Sequence, residues 1–382
     1  MPAANSPKAH WDIFCRVVDN FGDIGVSWRL ACQLADEHAI AIRLWVDDIA
    51  LASRFSGAGH ESVTLMPWTE ASSFSHAAEV VLETFSCGLP PAYQQLMSVN
   101  TVWLNIDYLS AEDWVSGFHG RPSPQANGLN RYFFYPGFDA QTGGLLREQF
   151  LPQLAEQAGR SATAAWQHLG LTAMPEAINV SLFCYAHAPV SALLASLAAS
   201  PQPVRLIVPE TLAPLVAQAL SQQSLVQQAL ASQALTAGQV IQHQHCNITV
   251  IPFLSQIDYD LLLALCGLNF VRGEDSWVRA IWASKPMVWL PYQQAEDTHL
   301  QKLAAFLQHY LATASDELQD LPRALMQAWA TGEWTTAHWN SFIEHRQALL
   351  QHAQHYANQL SQQPDLATKV VIFIEKLRAN RV

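Results

Sequence analysis

The segment WDIFCRVVDNFGDIG, residues 11–25, decides the fold that the sequence predicts. Residues 11–18 form a mainly apolar run typical of a buried strand, and apolar residues then recur at helical spacing to about His38. A buried strand that passes through a short loop, residues 19–25, into a helix is the opening unit of a doubly wound α/β fold. Three further apolar runs predict neighbouring inner strands: residues 40–46, 79–85 and 101–106.

The same alternation of strands and helices begins again in the second half of the chain. Five apolar runs predict its strands: residues 177–185, 204–209, 248–253, 268–271 and 286–290. We therefore expect an α/β protein with two Rossmann-like, doubly wound domains that face each other across a cleft.

The predicted domains are an acceptor domain over residues 1–155, a donor domain over residues 175–360, and a C-terminal helix, residues 361–382, that packs back on the first domain. Residues 107–147 lack clear periodicity. They indicate either a decorated loop region or a small antiparallel insertion.

Charge composition excludes several classes of function. The chain has 20 Lys and Arg against 32 Asp and Glu, a formal net charge of −12, so it does not hold nucleic acid by neutralising phosphates. The same balance argues against docking on anionic membranes. No apolar run approaches the roughly 20 residues that span a bilayer, and the polar N-terminus does not resemble a signal peptide.

The six cysteines are scattered and contain no CxxC pair, which predicts buried free thiols and a cytoplasmic protein. They are Cys15, Cys32, Cys87, Cys184, Cys246 and Cys266.

The loop after the first strand carries two carboxylates, Asp19 and Asp23, beside Gly22 and Gly25. Ligands of open α/β sheets bind at this carboxyl edge. The loop lacks a glycine-rich phosphate motif, and its two carboxylates would repel a pyrophosphate. It suits a cationic or hydroxylic group that must be held or deprotonated, with simple helix capping by Asp23 as the alternative.

A second strand–turn–helix segment, VRGEDSW, spans residues 271–277 and places Glu274, Asp275 and Ser276 at a helix start. Unpaired N–H groups at such a start form an anion site, while capping and charge complementarity are the alternative. Arg272 or Ser276 has the chemistry to reach a phosphate.

Aromatic and amide residues follow two more strands of the second half. Phe253 and Gln256 suit a nucleobase pocket, and Phe183 and Tyr185 end the first strand of this half. A phenylalanine after a strand is also a common core residue. The histidines do not have the spacing of metal sites; they include His243, His245, His338, His345, His352 and His355.

Residues 19–30 and 269–276, supported by residues 131–138, 181–185 and 251–256, resemble the bacterial protein-arginine rhamnosyltransferases of the EarP family. The resemblance implies an inverting glycosyltransferase of the GT-B fold. Its members move L-rhamnose from dTDP-β-L-rhamnose to one arginine of translation elongation factor P, which then relieves ribosomes stalled at polyproline. It also implies that no metal and no cofactor is required.

The resemblance further implies a role for each matching residue. Catalytic roles fall to Asp19, Asp23 as the base, and Glu274. Asn20, Phe21 and Gly22 complete the acceptor loop. The donor is held by Phe183, Tyr185, Phe253, Gln256, Glu274, Asp275 and Ser276, with Phe253 and Gln256 on the thymine and residues 274–276 on the diphosphate and sugar.

Other functions stay open at this stage. A nucleotide-sugar transferase with a different acceptor is the nearest alternative. A two-domain oxidoreductase would need a glycine-rich dinucleotide fingerprint, which neither half contains. A two-lobed binding protein for a small cation would usually be exported.

Overall fold

A computed structural model describes residues 10–18, 22–57, 59–69, 74–223 and 235–380. The chain divides into two compact units. The first unit comprises Met1–Gln149 and Ser361–Val382, and the second comprises Phe150–Leu360.

Thirteen strands and fourteen α-helices are present in the described residues. The strands are β1 (His10–Cys15), β2 (Ala41–Val46), β3 (Val63–Pro67), β4 (Val80–Thr84), β5 (Val102–Ile106), β6 (Pro122–Pro124), β7 (Asn130–Phe134), β8 (Ile178–Leu182), β9 (Val204–Pro209), β10 (Val240–His243), β11 (Cys246–Ile251), β12 (Leu268–Arg272) and β13 (Met287–Leu290). The helices are α1 (Gly22–His38), α2 (Ile49–Ser56), α3 (Pro91–Gln94), α4 (Trp114–Phe118), α5 (Leu151–Arg160), α6 (Ala162–His168), α7 (Val190–Ala198), α8 (Ala213–Ser221), α9 (Gln256–Leu265), α10 (Asp275–Trp282), α11 (Thr298–Leu311), α12 (Leu321–Thr331), α13 (Thr336–Ser361) and α14 (Leu366–Ala379).

The sheet of the first unit has the strand order β3-β2-β1-β4-β5-β7-β6. Every neighbouring pair is parallel except β6 and β7, which are antiparallel. Residues 107–147 therefore contain the small antiparallel element that the sequence left as one of two alternatives, and β7 extends the sheet beside β5.

Two boundaries near the start of the chain differ from the prediction. The first strand ends at Cys15 rather than at residue 18, because the N–H groups of residues 17 and 18 donate to carboxylates instead of to a neighbouring strand. Val17 N donates to Asp47 Oδ1 at 2.9 Å, and Val18 N donates to Asp23 Oδ2 at 2.8 Å. Helix α1 also begins at Gly22, inside the segment predicted as a loop.

The sheet of the first unit is buried on both faces, as expected for parallel strands joined by helices. Ile13 packs into a cluster with residues of α1 and α14, and the next residue, Phe14, points to the opposite face. That second face holds an aromatic cluster in which Phe14 lies 5.8 Å from Trp45 and 4.6 Å from Tyr93.

The C-terminal helix α14 is part of the core of the first unit. Leu366, Val370 and Ile374 are buried in the cluster that covers β1. Leu366 N donates to Leu145 O at 2.9 Å, and the Asp365 side chain caps the helix by accepting from Thr368 N at 3.0 Å.

The second unit has the strand order β10-β11-β9-β8-β12-β13, in which only β10 is antiparallel to its neighbour. A buried ion pair joins two of its helices: Arg279 Nε and Nη2 of α10 donate to Asp260 of α9 at 2.9 and 2.8 Å. The two parallel sheets confirm the prediction of an α/β protein with two doubly wound units.

All six cysteines lie in the described residues and are free thiols; four are buried, as predicted, whereas Cys32 and Cys87 are only half-buried. Burial raises the pKa of Cys15 and of Cys184 to about 12, so both thiols stay protonated at neutral pH. Among the helices of the described ranges, none is both long and apolar enough to span a bilayer.

The position of α14 predicts the cost of shortening one of its side chains. Leu366 is 1% exposed, so Leu366→Ala should lower the free energy of unfolding of the first unit by about 2–5 kcal/mol through lost burial and a residual cavity. Ile372, on the same helix, is 39% exposed, and Ile372→Ala should cost under about 1 kcal/mol. Urea denaturation of both variants checks the contrast, and equal losses would show that α14 is not docked in this core.

A histidine at the junction of β7 and α14 predicts acid sensitivity. His119 Nδ1 accepts a hydrogen bond from Tyr135 N at 3.1 Å, and the ring lies 4.5 Å from Phe134 and 6.3 Å from Phe373. Burial, with a smaller contribution from the Lys369 charge, lowers the pKa of His119 to about 4.

Because the folded pKa of His119 lies below the unfolded value of about 6.5, this group's contribution to stability is complete above pH 6.5 and is lost as the pH falls toward 4. We expect His119→Gln to lose less stability than the wild type between pH 7 and pH 5. The exposed His245→Gln is the control and should follow the wild type. Identical pH profiles for all three proteins would contradict the assignment.

Candidate active site

The first unit has one topological switch point at β1. The chain proceeds from β1 to β2 on one side and later returns to β4 on the other side, and this reversal leaves a crevice at the carboxyl ends of β1 and β4. The residues that follow these two strands are therefore the candidates for ligand contact in this unit.

Asp23 lies at this crevice in the first turn of α1 and is only 2% exposed. Its Oδ2 accepts from Val18 N, which fastens the helix start to the exit of β1. Its carbonyl oxygen accepts from Ser27 Oγ at 2.8 Å, and Ser27 Oγ lies 3.2 Å from Thr84 Oγ1 at the end of β4. The Asp23 carboxylate is thus held by a backbone N–H group, and the backbone carbonyl of Asp23 is held by a hydroxyl group.

The other predicted residues of this loop are only partly covered by the structure. Asp19, Asn20 and Phe21 lie outside the described residues, so their roles stay predictions. Gly22 is the first residue of α1.

The ends of β4 and β5 add an aromatic and a carboxylate that the sequence analysis did not select. Phe85 and Ser86 adopt left-handed conformations, with φ of 56° and 52°, which cost energy in residues other than glycine. Asn105 holds this turn, since its Oδ1 accepts from Ser86 N at 2.9 Å and its Nδ2 donates to Asp107 Oδ2 at 3.0 Å. Phe85 stacks on Tyr108 at 4.6 Å.

A carboxylate next to stacked aromatic rings is an arrangement that suits a planar cation. These residues could have been identified in the sequence because they directly follow two predicted parallel strands.

The second unit reverses its winding between β8 and β12, so its crevice lies at the carboxyl ends of these two strands. Phe183 and Tyr185 follow β8, and Arg272 is the last residue of β12. The guanidinium carbon of Arg272 lies 4.6 Å from the Phe183 ring and 4.5 Å from the Tyr185 ring. The Arg272 guanidinium therefore contacts both of the aromatic rings that the family resemblance assigns to the donor pocket.

The helix start after β12 has the predicted position, with Glu274 preceding α10 and Gly273 in a left-handed conformation at φ 59°. The Ser276 hydroxyl, which we expected to bind phosphate, instead closes this turn. It donates to Arg272 O and accepts from Arg272 N at 3.0 Å. Phosphate binding by this hydroxyl stays a prediction, as does phosphate binding by the backbone N–H groups of the helix start.

Phe253 and Gln256 lie further along the same edge. Both are half-buried residues that follow β11, and Phe253 N donates to Glu210 Oε1 at 3.4 Å. Since β9 separates β11 from β8, and strands are about 4.8 Å apart, these residues lie roughly 10 Å along the sheet from the Phe183 strand. That spacing is on the scale of an extended nucleotide.

Tyr292 is a further residue that the sequence analysis missed. It follows β13, and its ring lies 5.7 Å from that of Tyr185 in an edge-on contact. His187 also stacks on Tyr185, with the two ring centres 5.8 Å apart. The sequence signal was again the position just after an inner parallel strand.

The described residues contain no group of three or more His, Cys, Asp and Glu side chains arranged to hold a metal ion. Two of the histidines that were set aside have ordinary partners: His243 Nε2 bonds to Gln223 Oε1, and His352 Nε2 bonds to Tyr310 O, both at 2.9 Å.

Two solved structures match the fold of this chain. A spinosyn rhamnosyltransferase, SpnG, complexed with spinosyn aglycone matches with a TM-score of 0.53 at 12% identity over 95% of this chain and 99% of that chain, a likeness that shows the fold alone. A structure described as the structural basis for EarP-mediated arginine glycosylation of translation elongation factor EF-P matches with a TM-score of 0.69 at 35% identity, over 97% of this chain and 99% of that chain.

Sequence comparison gives the family. A protein-arginine rhamnosyltransferase of Pseudomonas putida is 42% identical over 96% of this chain and 98% of the relative, and one of Pseudomonas aeruginosa is 39% identical over the same shares. The family model described as "Elongation-Factor P (EF-P) rhamnosyltransferase EarP" matches residues 11–375. The chain therefore belongs to the EarP family of elongation factor P rhamnosyltransferases.

Proposed function

We propose that this protein is an inverting glycosyltransferase that moves L-rhamnose from dTDP-β-L-rhamnose to an arginine side chain of translation elongation factor P. The observation that carries the proposal is the family match, which extends over residues 11–375 and so includes both candidate crevices. The buried carboxylate of Asp23 in the first crevice and the guanidinium of Arg272 in the second support it.

The acceptor is a guanidinium whose pKa exceeds 12, so it arrives charged and its nitrogen lone pairs are delocalised. A buried, rigidly held carboxylate at Asp23 pairs with this cation. As the bond between the arginine nitrogen and the anomeric carbon forms, the bond from that carbon to the diphosphate oxygen breaks. The nitrogen gives its proton to the Asp23 carboxylate, and a single displacement of this kind inverts the anomeric centre.

The donor is a nucleoside diphosphate sugar, and the edge of the second unit offers groups for each part of it. Phe253 and Gln256 suit the thymine, by stacking and by hydrogen bonding to a base edge. The N–H groups at the start of α10 and the Arg272 guanidinium suit the diphosphate, whose charge grows as it leaves. We propose that this stabilisation operates without a metal or other cofactor.

Glu274 and Asp275 have the same sign of charge as the diphosphate. We propose that they contact sugar hydroxyls instead, where a carboxylate is a good acceptor.

The partner protein is proposed to dock beside the first crevice, on residues 107–147. This region exposes large aromatic side chains, with Trp114 47% and Phe118 53% exposed, and Trp114 packs edge-on against Tyr135 at 5.4 Å. Aromatic residues are enriched at protein interfaces. Because elongation factor P acts in translation, the proposed location is the cytoplasm. A transferase with a different acceptor is the alternative, and the acceptor used in the assay distinguishes the two.

The base proposed for the reaction predicts a loss of turnover in Asp23→Asn. The amide oxygen of asparagine can still accept from Val18 N, but the side chain no longer takes a proton, so we expect the rate of rhamnose transfer to fall about 10²–10⁴-fold. The measurement is the mass gain of one deoxyhexose on unmodified elongation factor P incubated with dTDP-β-L-rhamnose and the enzyme.

Asp36→Asn is the matched control, because Asp36 lies on the same helix with its side chain 66% exposed. It should keep the wild-type rate, and dTDP should bind all three proteins equally. Undiminished transfer by Asp23→Asn would exclude Asp23 as the base, and no mass gain with the wild type would overturn the proposed function.

The proposed thymine contact predicts a defect in donor binding. Stacking of a base on an aromatic ring contributes about 1–3 kcal/mol, so Phe253→Ala should weaken dTDP binding by roughly 5- to 150-fold. Isothermal titration calorimetry with dTDP measures this change. Val240→Ala, at an exposed apolar residue of the edge strand β10, serves as the control. An unchanged dissociation constant for dTDP in Phe253→Ala would show that the thymine does not stack on Phe253.

A further inference from the structure

The second unit contains a pair of adjoining cavities at the edge of its sheet opposite to the crevice. The larger has a volume of about 530 Å³ and the smaller about 290 Å³, and both are lined by Asn179, Leu265 and Lys285. Their lining includes residues 173–175, 283–285 and Gly267, which precede β8, β13 and β12. The cavities therefore lie at the amino ends of these parallel strands, whereas the donor residues follow the carboxyl ends.

The lining of this double cavity is mostly apolar. In the larger cavity it includes Trp166 and Met174 together with several alanines of α5 and α6, and in the smaller cavity Phe342 and Leu350. Such a lining accommodates an apolar ligand body.

The charged groups of the double cavity are all cations. Lys285 lines both cavities and Arg346 lines the smaller one. No aspartate or glutamate is among the described residues that line either cavity. In a chain with 32 acidic and 20 basic residues, this is a local reversal of the overall charge.

Lys285 lines the double cavity without a partner of opposite charge among the described residues. Within the described part of the chain it has no hydrogen bond and no ion pair, and its side chain is half-buried. Burial lowers the pKa of Lys285, and the neighbouring Cys266 thiol, whose pKa burial raises to about 12, supplies no negative charge. A half-buried cation without an ion pair is stabilised by an anionic partner.

A second polar atom in the double cavity also lacks a partner. The Asn179 Oδ1 atom is buried and accepts no hydrogen bond from any described residue, while its Nδ2 donates to Ala177 O at 3.3 Å. Buried polar atoms are normally satisfied, so a water molecule or a ligand group that donates a hydrogen bond completes the contacts of this acceptor.

We propose that this double cavity is a binding site for a small organic anion with an apolar body, whose anionic head group pairs with Lys285. The apolar part lies against Trp166, Met174 and Leu265 in the larger cavity. The site is separate from the donor crevice, because strands of about five residues, roughly 17 Å long, lie between the two edges.

The test uses octanoate as the anion and 1-octanol as its neutral counterpart, each titrated into the full-length protein by calorimetry. The wild type should bind octanoate at least about tenfold more tightly than 1-octanol, since only the carboxylate pairs with Lys285. Lys285→Met, which keeps the length of the side chain, should abolish this preference and leave binding of 1-octanol unchanged. Lys376→Met removes an equal charge from an exposed position of α14 and should behave as the wild type.

A second pair of variants tests the cavity independently of the charge. A side chain added at Gly159 meets open space and projects from a residue that lines the larger cavity, so Gly159→Phe should block both ligands. Gly117→Phe is the matched control at another helical glycine with open space around it. The proposal is overturned if octanoate binds no more tightly than 1-octanol, if Lys285→Met retains the preference, or if Gly159→Phe binds octanoate as the wild type does.

Discussion

Parallel strands cannot be joined by tight turns, so most successive parallel strands of both sheets are connected by a helical crossover. In each unit the direction of these crossovers reverses once, and the reversal leaves the carboxyl ends of two strands uncovered. In the first unit these strands are β1 and β4, which fix Asp23 between a backbone N–H group and a pair of hydroxyls. In the second unit they are β8 and β12, which fix Arg272 between two rings.

The two crevices differ in the charged groups that they offer. The first offers the buried carboxylate of Asp23, together with Asp107 beside a stacked aromatic pair, and so suits a cation. The second offers Arg272 and the N–H groups of a helix start, and so suits an anion. An arginine side chain and a nucleoside diphosphate have these two charges, so the electrostatics of the described residues agree with the chemistry proposed for the family's reaction.

Much of this architecture could be predicted, because apolar runs mark buried strands and polar residues that follow them mark ligand edges. Strand ends were predicted less well, because side chains can take the backbone hydrogen bonds that would otherwise continue the sheet. The strand ending at Cys15 was predicted too long, since the N–H groups of Val17 and Val18 bond to carboxylates. The stacking of Arg272 on Phe183 was not predictable, because it depends on β8 and β12 being neighbours although far apart in sequence.

The division of roles between the two units is tested most directly by amide hydrogen exchange of the whole protein with and without dTDP. The account predicts slower exchange at residues 183–185, 253–256 and 272–276, which follow β8, β11 and β12, and unchanged exchange at the exit of β1. Slower exchange confined to residues 16–18 and 22–25 of the first unit, with no change after β8, β11 and β12, would contradict it.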